Sequence, residues 1–277
     1  MSANYRAAEV HAERVLNDLE KMVAPIDPFA IAEQRDILVE VEVCDGPGVS
    51  GALMKVGDSF AIACFDRYGS PGYLRFTLAH ELGHYFLPEH PLKLFPSGSG
   101  EHQSRAGFTS TEPHEREADH FAAALLMPRA LVCKTLNGVD PGLAAVRRLH
   151  EVYDTSLTAS AIRYAKLSAD PVAVVVSSGG KVDYCFCSES LRETDGDMWL
   201  RKGEVVPPGT VTAGLGSRQE ADGDVSLDLW FDGVPPASVY EEVFHLGQYG
   251  RTLTVISSTD SIEAEEEMED RMKKYFT

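Results

Sequence analysis

Two segments in the first half of the chain carry hydrophobic residues at helical spacing. Residues 76–87 are mostly apolar and stop before a proline, so they predict a buried helix that begins at Thr77, either as its N-cap or in its first turn. Residues 111–128 predict a second helix, with Pro113 near its start and Pro128 at its end. The positions expected to face the core are Ala118, Phe121, Ala122 and Leu125.

The hydrophobic pattern changes after residue 140. Residues 142–153 and 158–167 predict two short helices joined by a turn, as in a helix-turn-helix unit. From Pro171 onward, β-branched runs bounded by turn residues predict strands instead. The predicted elements are strands at 172–177, 182–186, 225–231 and 251–256, a helical or extended link at 238–244, and a solvated terminal helix at 262–274.

These patterns predict an α+β fold in three parts. A chain of 277 residues is long for a single hydrophobic core, which favours more than one domain. The first domain, 1–135, is expected to be mainly helical. A helical unit spans 136–170, and the strand-rich segment 171–277 forms the third domain.

Charge argues against nucleic acid as a partner. The chain has 25 Lys and Arg against 43 Asp and Glu, a formal net charge of −18, so a phosphate backbone would be repelled. Residues 142–170 hold four basic and three acidic side chains, which is little positive charge for phosphate binding. The sequence therefore disfavours direct DNA binding and predicts that the helix-turn-helix-like unit is a connector or a platform for substrate.

Cysteine usage and hydropathy indicate the cytoplasm. The five cysteines are an odd number without disulfide spacing. The first residues lack the apolar core of a signal peptide, and no segment reaches the roughly 20 apolar residues of a membrane span. Cys185 and Cys187 are expected on one side of a strand as small apolar residues, with metal or redox use as the minor alternative.

The first predicted helix contains the motif with the clearest chemistry, His80-Glu81-Leu82-Gly83-His84. Two histidines four residues apart lie on the same face of a helix, where their neutral imidazoles can bind one metal ion. Glu81 is rotated away from that face, so it can miss the metal and accept a proton from water instead. The alternative is a pair of ordinary helix histidines, whose burial would be costly without partners.

A catalytic zinc needs a third protein ligand, and the second predicted helix offers candidates. Glu115 flanks the core-facing positions, and Asp119 lies one turn later, where a carboxylate can accept an imidazole N–H. We therefore interpret Glu115 as the ligand and Asp119 as the group that orients a ligand histidine. Acidic residues in a first turn also occur simply to compensate the helix dipole. The competing candidates by residue type are Glu112, His114, Glu117 and His120.

Residues 76–84 and 115–128 resemble the ImmA/IrrE family of metallo-endopeptidases. Residues 25–33 resemble that family's entry segment, and residues 49–53 resemble the strand that precedes its active-site helix. The resemblance implies a zincin-like helical metallopeptidase domain with a small sheet, followed by a helix-turn-helix-like linker unit. As in the longer IrrE-like members, it implies a GAF-like α/β sensor domain at the C-terminal end.

The resemblance also implies a ligand set. In the family, zinc is bound by the two histidines of the first matching segment and the first glutamate of the second, 115–128. These residues correspond to His80, His84 and Glu115. Mn²⁺ is an alternative occupant of these ligands. Glu81 is implied as the general base of zinc-assisted peptide hydrolysis. The family often has Asn where this chain has Asp119, so an acceptor for an imidazole N–H is kept while its charge differs.

The implied substrate is a helix-turn-helix repressor, cleaved to derepress stress-response, DNA-damage or mobile-element genes. Two other functions stay open: a metal-containing regulatory binding protein without obligatory proteolysis, and a protease of a non-repressor protein. Residues 88–113, rich in Pro, Gly, Ser and His, are expected to form a loop over the cleft. Residue type alone offers four donors for the reaction's oxyanion, namely Tyr73, Tyr85, His102 and His114.

Overall fold

The computed structural model describes residues 4–44, 48–67, 69–105, 110–194, 196–247 and 250–258. Within these residues, nine α-helices and two β-sheets form an α+β fold, which confirms the predicted class. The helices are α1 (Tyr5–Asp18), α2 (Pro28–Gln34), α3 (Pro71–Phe86), α4 (His90–Leu94), α5 (Pro113–Leu126), α6 (Arg129–Leu136), α7 (Leu143–Tyr153), α8 (Leu157–Leu167) and α9 (Glu189–Arg192). The strands are β1 (Leu38–Val43), β2 (Gly51–Val56), β3 (Ser59–Asp66), β4 (Gly100–Ser104), β5 (Val172–Ser178), β6 (Lys181–Cys187), β7 (Glu220–Ser226), β8 (Ser238–His245) and β9 (Arg251–Ser257).

The chain folds as two compact units. One comprises Met1–Thr135 and Leu149–Ser156, and the other comprises Leu136–Arg148 and Leu157–Thr277. Helix α7 therefore contributes residues to both units. The three-domain division drawn from the sequence stays a prediction.

The sheet of the first unit has four strands in the order β1-β3-β2-β4. β1 and β3 are parallel, and the other neighbours are antiparallel. β4 forms one edge, where His102 lies opposite Leu53 of β2. The hydrophobic core of this unit joins the sheet to α1, α2, α3 and α5. Fully buried residues at its centre are Leu16, Ile31, Leu53, Ile62, Leu78 and Phe121.

Helix α3, which carries the His-Glu-Leu-Gly-His motif, begins earlier than predicted. Its N-cap is Ser70, whose side-chain oxygen accepts a hydrogen bond from the Tyr73 N–H, and Pro71 lies in the first turn. Thr77 is a buried residue in the middle of the helix rather than its start. The prediction was wrong because a serine N-cap followed by proline is a stronger start signal than the apolar run itself. The predicted end is confirmed, since the helix stops at Phe86.

Helix α5 begins at Pro113 and ends just before Pro128, as predicted. All four of its positions expected to face the core are buried. α5 packs directly on α3, and their backbones come close where Gly83 faces Ala118. A Cβ at residue 83 would lie 3.2 Å from the Cα of Ala118. Small residues at this crossing therefore set how near the two helices come.

The segment predicted as a loop over the cleft contains regular structure. Residues 88–113 include α4 and the edge strand β4, while residues 106–109 lie outside the described part of the chain. The loop prediction was wrong because β4 depends on backbone pairing with β2 and has no hydrophobic pattern of its own. Residues 49–53, expected in a strand that precedes the active-site helix, do include residues of such a strand. They overlap the start of β2, and β3 is the strand that directly precedes α3.

The sheet of the second unit is antiparallel, with five strands in the order β6-β5-β9-β8-β7. Both helices of the predicted helix-turn-helix unit are present as α7 and α8. The link at 238–244, for which the sequence allowed either a helical or an extended conformation, is extended and forms strand β8. The strand predicted at 225–231 is wrong beyond Ser226, because Leu227–Leu229 form a short 3-10 helix. The predicted terminal helix at 262–274 lies outside the described residues.

The predicted placement of the cysteine pair is confirmed. Cys185 and Cys187 lie side by side on β6, both buried, with their sulfur atoms 3.7 Å apart. All five cysteines are free thiols. In the part of the chain that the structure describes, no helix combines the length and apolar character needed to cross a bilayer.

Replacing Gly83 with valine tests the close approach of α3 and α5. Glycine is about 1 kcal/mol less favourable than alanine inside an exposed helix, so its replacement there usually stabilises the protein. At this buried crossing we expect the opposite, because the added side chain meets Ala118. The free energy of unfolding, measured by urea denaturation, should fall by about 1–3 kcal/mol.

The control for this variant is Ala7→Val, at an exposed position of α1. It should change the free energy of unfolding by no more than about 0.5 kcal/mol. A Gly83→Val protein as stable as the wild type would show that the crossing of the two helices tolerates added volume.

Candidate metal centre

Helices α3 and α5 bring the three predicted ligands together. Nε2 of His80 lies 3.1 Å from Nε2 of His84. The carboxylate of Glu115 completes a triangle, with Oε2 3.4 Å from His80 Nε2 and Oε1 3.2 Å from His84 Nε2. All three side chains are buried. A tetrahedral zinc ion with bonds of about 2.0–2.1 Å holds its ligand atoms about 3.3 Å apart, so this donor set fits such an ion.

Asp119 contacts the first histidine of the motif. Its Oδ1 accepts a hydrogen bond from Nδ1 of His80 at 2.9 Å, and its side chain is fully buried. With one hydrogen held on Nδ1, Nε2 of His80 is the atom that can face a metal. Burial alone would lower the pKa of His80, but Asp119, together with Glu115 and Glu81, raises it to about 10. Carboxylates that stabilise an imidazolium in this way also stabilise an imidazole bound to a cation.

Glu81 lies in the same buried region, and neither of its carboxylate oxygens has a hydrogen-bond partner of normal geometry among the described residues, although the Ser104 hydroxyl is near enough to lower its pKa. It sits against the backbone of β2, where a Cβ at Gly51 would come within 2.7 Å of Oε1. Burial raises the pKa of Glu81 to about 7, and the charge of His80 opposes that shift only in part. A carboxylate with this pKa is suited to accepting and returning a proton near neutral pH.

Two further histidines contact Glu115. Nε2 of His102, on β4, lies 2.8 Å from Oε1, and Nε2 of His114 lies 3.5 Å from the same atom. Together with Glu115 they form a second group of possible metal ligands, which shares its carboxylate with the first. Burial would raise the pKa of Glu115, but hydrogen bonds from His102 and the two motif histidines hold it well below its usual range. Of the other candidate donors, Tyr85 packs on Phe60.

The remaining competitors for the third ligand position have other partners. Glu112 is exposed at the N-cap of α5. Nδ1 of His120 lies 3.0 Å from the carboxylate of Glu9 on α1. Glu117 accepts a hydrogen bond from the backbone N–H of Asn4 at 2.7 Å. Glu112 therefore belongs to the start of α5, and His120 and Glu117 attach α5 to α1 and its N-cap.

The sequence interpretation missed His90. This residue opens α4 and is 2% exposed. Its Nδ1 lies 3.0 Å from Nδ1 of His84, and its Nε2 lies 3.1 Å from Oε2 of Glu117. Burial lowers the pKa of His90, and it lowers the pKa of His84 well below its usual value. No sequence pattern indicated His90, because it stands outside the motif spacing and in a segment predicted as a loop.

A buried His-His-Glu group on two packed helices, with an unpaired glutamate beside it, is the kind of site that a metallopeptidase uses. Residues 65–159 match the Peptidase_M78 family, described as the IrrE N-terminal-like domain. The matched segment contains Glu81 and all three candidate ligands. The resemblance to the ImmA/IrrE family predicted from the sequence is confirmed for this part of the chain.

The fold is similar to that of a Mycobacterium tuberculosis transcriptional regulator. The TM-score is 0.59, and the match covers 91% of this chain and 76% of that one. Sequence identity is 12%, so the likeness concerns the fold alone. No curated protein sequence is significantly similar to this chain.

Removing the carboxylate of Asp119 tests its effect on His80. We expect Asp119→Ala to weaken zinc binding about 10- to 100-fold, because the imidazole loses the acceptor that fixes its orientation. Asp119→Asn keeps an oxygen acceptor and should lose less affinity. Competition with a chelator of known zinc affinity measures both dissociation constants.

Glu112→Ala is the control, since it removes an exposed carboxylate from the same helix. It should bind zinc as the wild type does. Equal zinc affinity in Asp119→Ala and the wild type would contradict the orienting role of Asp119.

Proposed function

We propose that this protein is a zinc-dependent endopeptidase of the cytoplasm that cleaves a helix-turn-helix transcriptional repressor, and so derepresses stress, DNA-damage or mobile-element genes. The observation that carries the peptidase assignment is Glu81, a buried carboxylate without a hydrogen-bond partner among the described residues. A structural metal site has no use for such a group, whereas hydrolysis needs a base. The match to a metallopeptidase family supports the same conclusion.

Similarity to known proteins supports a repressor as the substrate. The IrrE-type domain and the likeness to a protein named as a transcriptional regulator both favour a regulatory setting. The net charge of −18 disfavours direct contact with DNA, so we assign the partner as a protein. Five free thiols suit a reducing compartment.

His80, His84 and Glu115 would hold the zinc ion through two imidazole nitrogens and one carboxylate oxygen. Mn²⁺ suits the same donors. When bound, the ion supplies Lewis acidity, which polarises a peptide carbonyl and lowers the pKa of water. These three protein ligands would leave room on the ion for water or substrate, as a catalytic site requires.

The side chains around the proposed ligands transfer the proton of the attacking water and orient a ligand histidine. Glu81 accepts the proton of the attacking water on a carboxylate oxygen and returns it to the leaving amine. Its buried surroundings favour this exchange, because they raise its pKa to about 7. Asp119 holds His80 in one orientation. His102 donates its Nε2–H to Glu115, and His114 would supply an N–H donor for the oxyanion that forms on the carbonyl.

For the architecture we propose a zincin-like domain at 1–135, a helix-turn-helix-like unit at 136–170 and a GAF-like domain at 171–277. The packing of α3 and α5 beside a four-stranded sheet supports the first assignment. The five-stranded antiparallel sheet β6-β5-β9-β8-β7 supports a separate third domain. In this proposal the third domain senses a signal or docks the substrate.

Glu81→Gln separates the chemistry from metal binding. The amide cannot accept the proton, so we expect cleavage to fall at least about 100-fold while one zinc ion per chain is retained. The assay incubates zinc-loaded protein with helix-turn-helix repressors encoded in the same genome and reads single cuts by intact mass. Elemental analysis of the same samples measures the metal.

Glu101→Gln, at an exposed position on β4, is the control and should cleave as the wild type does. Full activity of Glu81→Gln would contradict the peptidase assignment and favour a metal-containing regulatory protein without obligatory proteolysis. Cuts confined to proteins other than repressors would favour the protease of a non-repressor substrate.

His114→Ala tests the oxyanion donor. We expect kcat on a peptide spanning the cut to fall about 100- to 1,000-fold with little change in KM, because the lost donor acts on charge that develops only in the transition state. Zinc affinity should remain that of the wild type. Loss of zinc from His114→Ala would instead identify His114 as a ligand.

A further inference from the structure

A buried histidine outside the proposed chemistry contacts a proposed ligand. Nδ1 of His90, on α4, lies 3.0 Å from Nδ1 of His84, on α3. The two residues are 2% and 0% exposed, so this contact is shielded from bulk solvent. Two ring nitrogens at this distance form a hydrogen bond only if one carries a hydrogen and the other does not.

Metal binding decides which nitrogen is the donor. If His84 binds through Nε2, that atom carries no hydrogen, and the hydrogen of the neutral ring is on Nδ1. Nδ1 of His84 therefore donates to Nδ1 of His90. The hydrogen of a neutral His90 ring is consequently on its own Nε2.

Glu117 receives that hydrogen. Its Oε2 lies 3.1 Å from Nε2 of His90. Its Oε1 accepts the backbone N–H of Asn4, the N-cap of α1, at 2.7 Å. Both carboxylate oxygens are engaged, so Glu117 is held by α1 while it holds His90.

We propose that His90 and Glu117 form a hydrogen-bond relay that orients His84 for metal binding, in the same way that Asp119 orients His80. The relay rests on the proposed zinc site and adds two positioning residues to it. The N–H donors of Asn4, His90 and His84 each meet one acceptor, and both acceptor oxygens of Glu117 are used. Without His90, the Nδ1–H of His84 would stay buried but would lose this acceptor.

The relay predicts a loss of zinc affinity on substitution. We expect His90→Ala to weaken zinc binding about 10- to 100-fold, measured by chelator competition, because the orienting partners of ligand histidines contribute that much. His90→Gln offers one acceptor and one donor and should recover part of the loss. Glu117→Ala should weaken binding less than His90→Ala, because the acceptor next to His84 remains.

A second measurement, on the wild type, distinguishes orientation from folding. In the zinc-loaded full-length protein, long-range ¹H–¹⁵N correlation spectra of the imidazoles should show the hydrogen of His84 on Nδ1 and that of His90 on Nε2. A purely structural role for His90 would not fix these positions. This readout stands even if His90→Ala fails to fold.

His120→Ala is the matched control. It removes another buried histidine of the same unit that is bonded to a glutamate, with Nδ1 3.0 Å from Glu9. Zinc affinity should fall several-fold less than in His90→Ala, since the bond lost to Glu9 joins α5 to α1 and not to a proposed ligand.

The outcomes separate the relay from the proposed function. Wild-type zinc affinity in His90→Ala, or a His90 ring with its hydrogen on Nδ1, would overturn the relay and leave the zinc site intact. A wild-type protein that binds no zinc, or binds it equally well without His80 and His84, would overturn the proposed function and the relay together.

Discussion

The close contact between Gly83 and Ala118 is the constraint on which the rest of the site depends. It lets α3 and α5 approach so nearly that the carboxylate of Glu115 comes within 3.4 Å of two histidines on the other helix. Metal ligands have to be placed to within about 0.5 Å, and packed helices provide that accuracy better than loops do. The sheet adds to the same geometry, because Gly51 of β2 leaves room for the carboxylate of Glu81.

The site concentrates buried charge in a unit that is otherwise packed with apolar residues. Burying an ionisable group is costly unless it is paired, and most of the groups here are paired. Glu81 is the exception among the described residues, since neither of its oxygens has a hydrogen-bond partner. A local conflict of this kind is typical of a functional position, where an apolar residue would give a more stable protein without the chemistry.

Local patterns predicted the helices of the site better than its network. The apolar stripe between two prolines was enough to place α5, and the four-residue spacing was enough to put His80 and His84 on one face. Spacing could not choose Glu115 over its neighbours, because contact with both histidines depends on how α5 lies on α3. The contact of His90 with His84 could not be predicted for the same reason, because it depends on how the short helix α4 packs against the motif. The cap at Ser70 was readable from the sequence but was outweighed by the apolar run that follows it.

The hydrogen bond between Asn4 and Glu117 connects the amino-terminal helix to the surroundings of the proposed metal ligands. An ion that binds only the ordered site stabilises every element on which that order depends. Such coupling is reciprocal, so a change that loosened α1 would also weaken binding of an ion at the proposed site. The amino-terminal helix would then report metal occupancy: its amide hydrogens would exchange more slowly in the loaded protein, and a molecule that pulled α1 away would promote release of the ion.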